Sequence, residues 1–105
     1  MIQNKCFVCG KAEGRMQLAH IIGNRKVNKR MYGSHVISSV LNVLPACDLH
    51  CNSLIDLGSH EILKERVALI IESDITAEEK RESIEAIVRE NINRKEKKNE
   101  RRSGL

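Results

Sequence analysis

Four cysteines carry the strongest chemical signal in this chain: Cys6 and Cys9 form a C-x-x-C pair, Cys47 and Cys51 a C-x-x-x-C pair, and 37 residues separate the two. Each pair can bring two sulfurs to one ion from a tight turn. Two such pairs complete a tetrahedral four-thiolate site, the coordination of a structural zinc. With every position filled by sulfur, that zinc is closed to substrate and holds the fold. The alternatives are two disulfides or four buried free thiols. The N-terminus Met1-Ile2-Gln3-Asn4-Lys5-Cys6 lacks a signal peptide's apolar stretch, and no apolar run approaches the roughly 20 residues of a membrane span, so the expected setting is the reducing cytoplasm. That setting disfavours disulfides, and the paired spacing disfavours four unrelated core thiols. His50 offers a variant ligand three residues after Cys47, but a thiolate pair is the simpler choice.

A metal would supply what the composition lacks. In 105 residues, 41% of them apolar, there is one Phe, one Tyr and no Trp, so the largest core-filling side chains are nearly absent from a domain whose size already limits burial. One compact α+β domain is expected, with a metal-braced core over residues 1–57 and a helical extension with a basic tail over 58–105.

The elements that must position the cysteines follow from pattern. Residues 1–16 read as a short hairpin knuckle, turned at Gly10 and Gly14. Gln17 to Ile22 reads as a strand with His20 in its middle. Residues 23–39 are polar, basic and glycine-punctuated, which predicts a loop with one helical turn around Lys29 to Tyr32. Val40 to Leu44 reads as a second strand ended by Pro45, and a helix opens between Cys47 and Asp56. Ile62, Leu63, Val67, Ile70 and Ile71 recur at helical spacing and predict a helix over about 60–72, capped by Ser59. Thr76 and Glu79 form a capping box for a second helix, whose stripe Ile84, Ile87, Val88 and Ile92, with Asn91 alongside, fades into the basic run Arg94 to Arg102.

Three further residues sit at informative places: His20 in Ala19-His20-Ile21, Asn42 in Asn42-Val43-Leu44-Pro45-Ala46-Cys47, and Asn52 in Cys51-Asn52-Ser53. Together with Cys6-Phe7-Val8-Cys9 and Tyr32-Gly33, their order over residues 5–57 resembles the HNH endonuclease family, in its four-cysteine, zinc-braced ββα-metal branch with stand-alone, often phage-encoded members. The resemblance implies a metal-dependent DNA endonuclease or nickase, a hydrolase of phosphodiester bonds. It implies His20 as general base, Asn42 orienting the imidazole through a side-chain hydrogen bond, and Asn52 facing a catalytic Mg²⁺ or Mn²⁺ from the first turn of the helix. It also implies a bacterial, cytoplasmic setting. Two positions depart from the pattern: Ala19 stands where relatives carry a metal-ligating Asp, Glu or His, and Ser39 where many have a His. A substitute ligand would come from elsewhere, such as His35 or His50. Each residue also has a plainer explanation: a structural His, an Asn in a turn, and Asn52 as a helix N-cap.

Charge is unevenly spread. Residues 1–60 carry seven Lys/Arg against three Asp/Glu, and residues 61–105 eleven of each, for a net +4. Under the resemblance, Arg25, Lys26, Lys29 and Arg30 lie between His20 and Asn42 and would hold DNA phosphates without reading sequence. The stripe on the last helix reads either as packing onto its neighbour or as a homodimer seam. The rival to an enzyme is a catalytically inactive zinc module that binds DNA or a protein.

Overall fold

The computed structural model of the chain describes residues 5–103, with side chains described through residue 96. The order is β1 (Gln17–His20), α1 (Lys26–Tyr32), α2 (Ser34–Ile37), a single 3-10 turn (Val40–Asn42), β2 (Val43–Ala46), α3 (Leu49–Ile55), α4 (Glu61–Glu72) and α5 (Ala77–Ser103). The α+β class is as expected: a two-stranded antiparallel ribbon followed by a helix, then two longer helices. No helix among the described residues is long and apolar enough to cross a membrane.

Ahead of the ribbon, the chain turns tightly at the first cysteine pair. Gly10 N–H donates to the Cys6 carbonyl at 3.0 Å and Cys6 N–H to that of Lys11 at 2.9 Å, with Gly10 at φ 76°. A left-handed φ is cheap only for glycine, which explains Gly10 at this corner. The expected hairpin is therefore a bonded turn with no strand pairing in its described part, residues 5–16.

β2 lies later than the pattern suggested, and Pro45 stands inside it. The register explains why this costs nothing. β1 and β2 pair Gln17 with Ala46, Leu18 with Pro45, Ala19 with Leu44 and His20 with Val43, and the next pair, Ile21 and Asn42, is joined by an N–H···O bond of 2.8 Å. Antiparallel pairs alternate between bonded and non-bonded, so Leu18–Pro45 is a non-bonded pair and the missing proline N–H leaves no gap. The Pro45 carbonyl faces outward and accepts from Phe7 N–H at 2.9 Å, which ties the knuckle to the ribbon's edge.

Residues 23–39 are not a loop but two short helices, and neither has a side-chain cap at its start. Tertiary bonds hold them. Asn28 on α1 donates to the Gly23 carbonyl at 2.9 Å, and its Oδ1 accepts from Lys64 Nζ on α4 at 3.1 Å. Lys64 is a buried lysine, 7% exposed, whose hydrogen-bond partner is that amide. Gly33 sits between the helices at φ 94°, where a Cβ would meet the His35 ring at 2.6 Å.

α4 and α5 start close to expectation. Thr76 Oγ1 accepts from Glu79 N–H at 3.1 Å, as the capping box requires, whereas His60 Nδ1, not Ser59, faces the Leu63 N–H at 3.4 Å. α5 runs well past residue 92. Two of its lysines finish other helices: Lys80 Nζ donates to the Ile71 carbonyl at 2.7 Å near the end of α4, and Lys95 Nζ to those of Ser53 and Asp56 at 2.9 and 2.7 Å at the end of α3. Cations suit a helix C-terminus both as donors to its orphan carbonyls and as complement to its dipole. Burial beside these carbonyls pulls the Lys95 pKa down, against the pull of Asp56. The stripe Ile84, Val88 and Ile92 is buried within this chain, so it serves as core rather than as an open seam for a second copy. A single cluster of buried residues runs from Cys6 to Ile92, joining the ribbon segment to the later helices.

Two buried asparagines make opposite contributions. Asn42 is fully buried: its Oδ1 accepts from Ile22 N–H at 2.9 Å, and its Nδ2 donates to the Ile22 and Ile37 carbonyls at 3.0 Å each. Asn91 is almost as buried, and among the described residues its Nδ2 has no partner. Orphaning a buried backbone group costs about 1–3 kcal/mol, so Asn42→Ala should destabilise the fold by about 3 kcal/mol or more. Asn91→Leu, which removes an unsatisfied amide, should stabilise it by about 1 kcal/mol. Urea unfolding at constant metal content measures both, and equal signs would contradict this assignment.

Candidate functional site

The two cysteine pairs meet. Cys6 and Cys9 arrive from the N-terminal turn, Cys47 from the end of β2 and Cys51 from the first turn of α3. All four Sγ atoms lie within 4.8 Å of one another. Cys9 and Cys47 are 3.5 Å apart and Cys47 and Cys51 3.7 Å, and all four are free thiols. Metal–sulfur bonds of about 2.3 Å in a tetrahedron imply sulfur–sulfur edges of about 3.8 Å, so the cluster is matched in ligand type and size to a metal ion. His50 is exposed and is not part of it. Cys51 fills that place because Asp48 caps α3, accepting from Cys51 N–H at 2.8 Å, which sets the turn that points Cys51 inward. The same N–H holds the Asp48 carboxyl below its usual range.

The cluster is electrically uneven. Burial opposes ionisation of Cys6, but the N–H groups of Cys9, Cys47 and Val8 aimed at its sulfur outweigh burial and bring its pKa down to about 6. Cys51 is pushed up, first by burial and then by its hydrogen bonds with Cys47 and Cys6, and Cys47 is raised chiefly by its bond to Cys9. Cys6 thus ionises more readily than Cys47 or Cys51.

The other expected site residues are placed differently from expectation. Asn42 does not touch the His20 imidazole; its side chain is spent on the backbone of Ile22 and Ile37. It pins the segment just past β1 to the start of β2 and so fixes where β1 ends, with His20 as its last residue. Asn52 lies in the second turn of α3, not at its cap, and donates to Gln17 Oε1 on β1 at 3.1 Å. Strand alternation sends Gln17 and Ala19 toward α3, and Leu18 and His20 to the opposite face, with Val43 and Pro45 across the ladder. His20 is half-buried, and among the described residues no hydrogen bond engages its ring.

A hard cation beside His20 finds few ligands. Ala19, at 0% exposure, offers only a buried methyl; Ser39 caps the 3-10 turn, accepting from Leu41 N–H; Asn52 gives its Nδ2 to Gln17. His35 is paired with Glu72 on α4 at 2.9 Å. Among the described residues, the four cysteines are the one group of three or more His, Cys, Asp or Glu side chains gathered closely enough to hold a metal. No such group of described residues beside His20 supports a catalytic Mg²⁺ or Mn²⁺.

Arg25, Lys26, Lys29 and Arg30 are all exposed, Arg25 as the N-cap of α1 and the others along the helix. Sequence reasoning missed a second basic group. Lys5 from the knuckle and Arg81 and Arg89 from α5 face a cleft of about 370 Å³ over the Leu18–Pro45 side of the ribbon. Its signal was the spacing of Arg81, Glu85 and Arg89, four residues apart on one helix face along the flank of the buried stripe. No family model matches the chain, and no curated protein or solved structure is significantly similar to it.

Metal binding to this cluster must displace at least the Cys47 and Cys51 protons, so affinity should fall as pH drops. With Zn²⁺ as the probe, calorimetry in buffers of different ionisation enthalpy should read the release of two or more protons per ion at neutral pH. Affinity should weaken further as pH passes down through about 6, where Cys6 itself takes up a proton. Proton-independent binding would contradict the four-thiolate assignment.

Proposed function

We propose that the chain is a zinc-braced, HNH-like DNA endonuclease or nickase, with His20 as general base. The ion that best suits four convergent thiolates is zinc, and its role here is structural, because no coordination position is left for water or substrate. The single observation that carries the catalytic reading is His20 itself. It is a half-buried imidazole with no described hydrogen-bond partner, ending a strand whose exit is clamped by Asn42. A neutral imidazole so held can take a proton from water attacking a phosphodiester. Asn42 acts as a positioning residue through the backbone rather than through the ring. The exposed Arg25, Lys26, Lys29 and Arg30 would bind phosphates on either side of the scissile bond and set its distance from His20.

A specific observation favours a second reading, a non-catalytic zinc module that binds DNA or a protein: Ala19, where the HNH resemblance implies a metal ligand, is a buried methyl. The two readings part in one experiment. Zinc-loaded protein and its His20→Ala variant, matched in zinc content and thermal stability, are incubated with supercoiled plasmid without added cation and with Mg²⁺, Mn²⁺ or Ni²⁺. The nuclease reading expects nicking that drops by about 10²–10⁴-fold in the variant, the usual worth of a general base, while DNA affinity is unchanged. Cleavage equal in both proteins would remove His20 as the general base, and none under any condition with the fold intact leaves the binding module.

A further inference from the structure

We infer that the cleft between the knuckle, the outer face of the ribbon and α5 is a subsite for one unpaired nucleotide of a DNA strand. The inference rests on the nucleic-acid reading above and names the form of the substrate.

The cleft has two kinds of wall. Its floor is apolar, built from Leu18, Val43, Leu44 and Pro45, and Leu18 remains 55% exposed although it is an aliphatic side chain in the middle of a strand. Its rim is cationic: Lys5, Arg81 and Arg89, with Glu85 the one acid among them, 3.9 Å from Arg89. At about 370 Å³ the space lies within the usual range for small-ligand sites, about 300–1,000 Å³. An apolar floor beneath a net-positive rim suits a ligand with a flat apolar body and an anionic end, which describes a nucleotide.

Arg89 and Phe7 narrow the choice. The Arg89 guanidinium lies over the Phe7 ring at 4.4 Å from its centroid, and both residues line the cleft. The guanidinium, well exposed on its other side, stays available, and Arg planes, like aromatic rings, are surfaces on which unpaired bases stack. The chain's single phenylalanine is thus placed beneath an arginine at the mouth of a cavity. A paired base has both faces covered by its neighbours, so the platform selects single-stranded or frayed DNA. The cleft also continues the ribbon face that carries His20, whose ladder partner Val43 is part of its floor. A base seated here would leave its strand running along the face of the proposed general base.

The test is fluorescence anisotropy with the full-length zinc-loaded protein and no added divalent cation, so that binding is read apart from cleavage. The probes are a labelled oligothymidylate of about 12 nucleotides, within the span of a small single-strand site, and a duplex of the same length. Arg89→Lys keeps the charge but loses the planar stack, and Leu18→Glu places an anion on the floor at an exposed position. Both should weaken single-strand binding about tenfold or more, the worth of one stacked base, with duplex affinity changing less than about twofold. Unaltered single-strand binding in both variants, with zinc content and melting temperature preserved, would overturn the subsite. Free thymidine monophosphate displacing the oligonucleotide at an equal nucleotide concentration would also overturn it, by pointing to a metabolite rather than a strand. Cleft-dependent binding by a protein that cleaves nothing would refute the nuclease reading alone; cleavage by a protein with no cleft-dependent preference would refute the subsite alone.

Discussion

The convergence of four sulfur atoms joins the two parts of the chain that everything else leans on. The knuckle has little core of its own, and α3 is seven residues long, too short to stand as an isolated helix. Bringing Cys6 and Cys9 against Cys47 and Cys51 closes a loop of 37 residues, and that loop contains the whole of β1, α1, α2 and β2. Closing it costs chain entropy, and a metal ion held by the four thiolates would offset that cost where large aromatic side chains would do so in another protein. The Phe7–Pro45 bond and the β1–β2 ladder then have their ends already in place.

Inside the closed loop, Asn42 does the finer work. Its amide copies a strand neighbour, giving and accepting bonds where Ile22 and Ile37 would otherwise present bare backbone to the core. α5 works from outside. Lys80 and Lys95 reach back to close the ends of α4 and α3, and Arg89 covers Phe7, so one helix touches the last turn of each neighbour and the edge of the knuckle.

The parts legible in the sequence were those whose signal is local. The paired cysteines, the Thr76–Glu79 cap and the apolar period of α4 each sit within a few residues; the first predicts the thiol cluster, and the other two place the start of their helices to within a residue or two. The parts that slipped depend on distant partners. α1 has no capping side chain; it is held by Asn28 and a lysine 36 positions away, which no window over residues 23–39 contains. Pro45 argued for a strand end, and only the ladder register reveals that its nitrogen stands at a non-bonded position. Asn42 is expected at the His20 imidazole and Asn52 at a cation, but the backbone of Ile22 and Ile37 and the side chain of Gln17 compete for their amides, and such competitors carry no sequence motif. The cleft draws on residues 5–10, 18, 43–45 and 81–89, so it exists only once the chain is folded.

The reach of Lys95 also sets an order of assembly during synthesis. The carbonyls it satisfies belong to Ser53 and Asp56, 42 and 39 residues earlier, and at about 5–20 residues per second the ribosome makes that intervening stretch in roughly 2–8 seconds. For that interval a nascent chain can close its cysteine loop and form its ribbon while the end of α3 stays open to water. An earlier segment is thus sealed by a later one. A ribosome pausing anywhere between α3 and the middle of α5 would present the same half-finished species to chaperones and proteases: metal-tied at one end of α3 and frayed at the other.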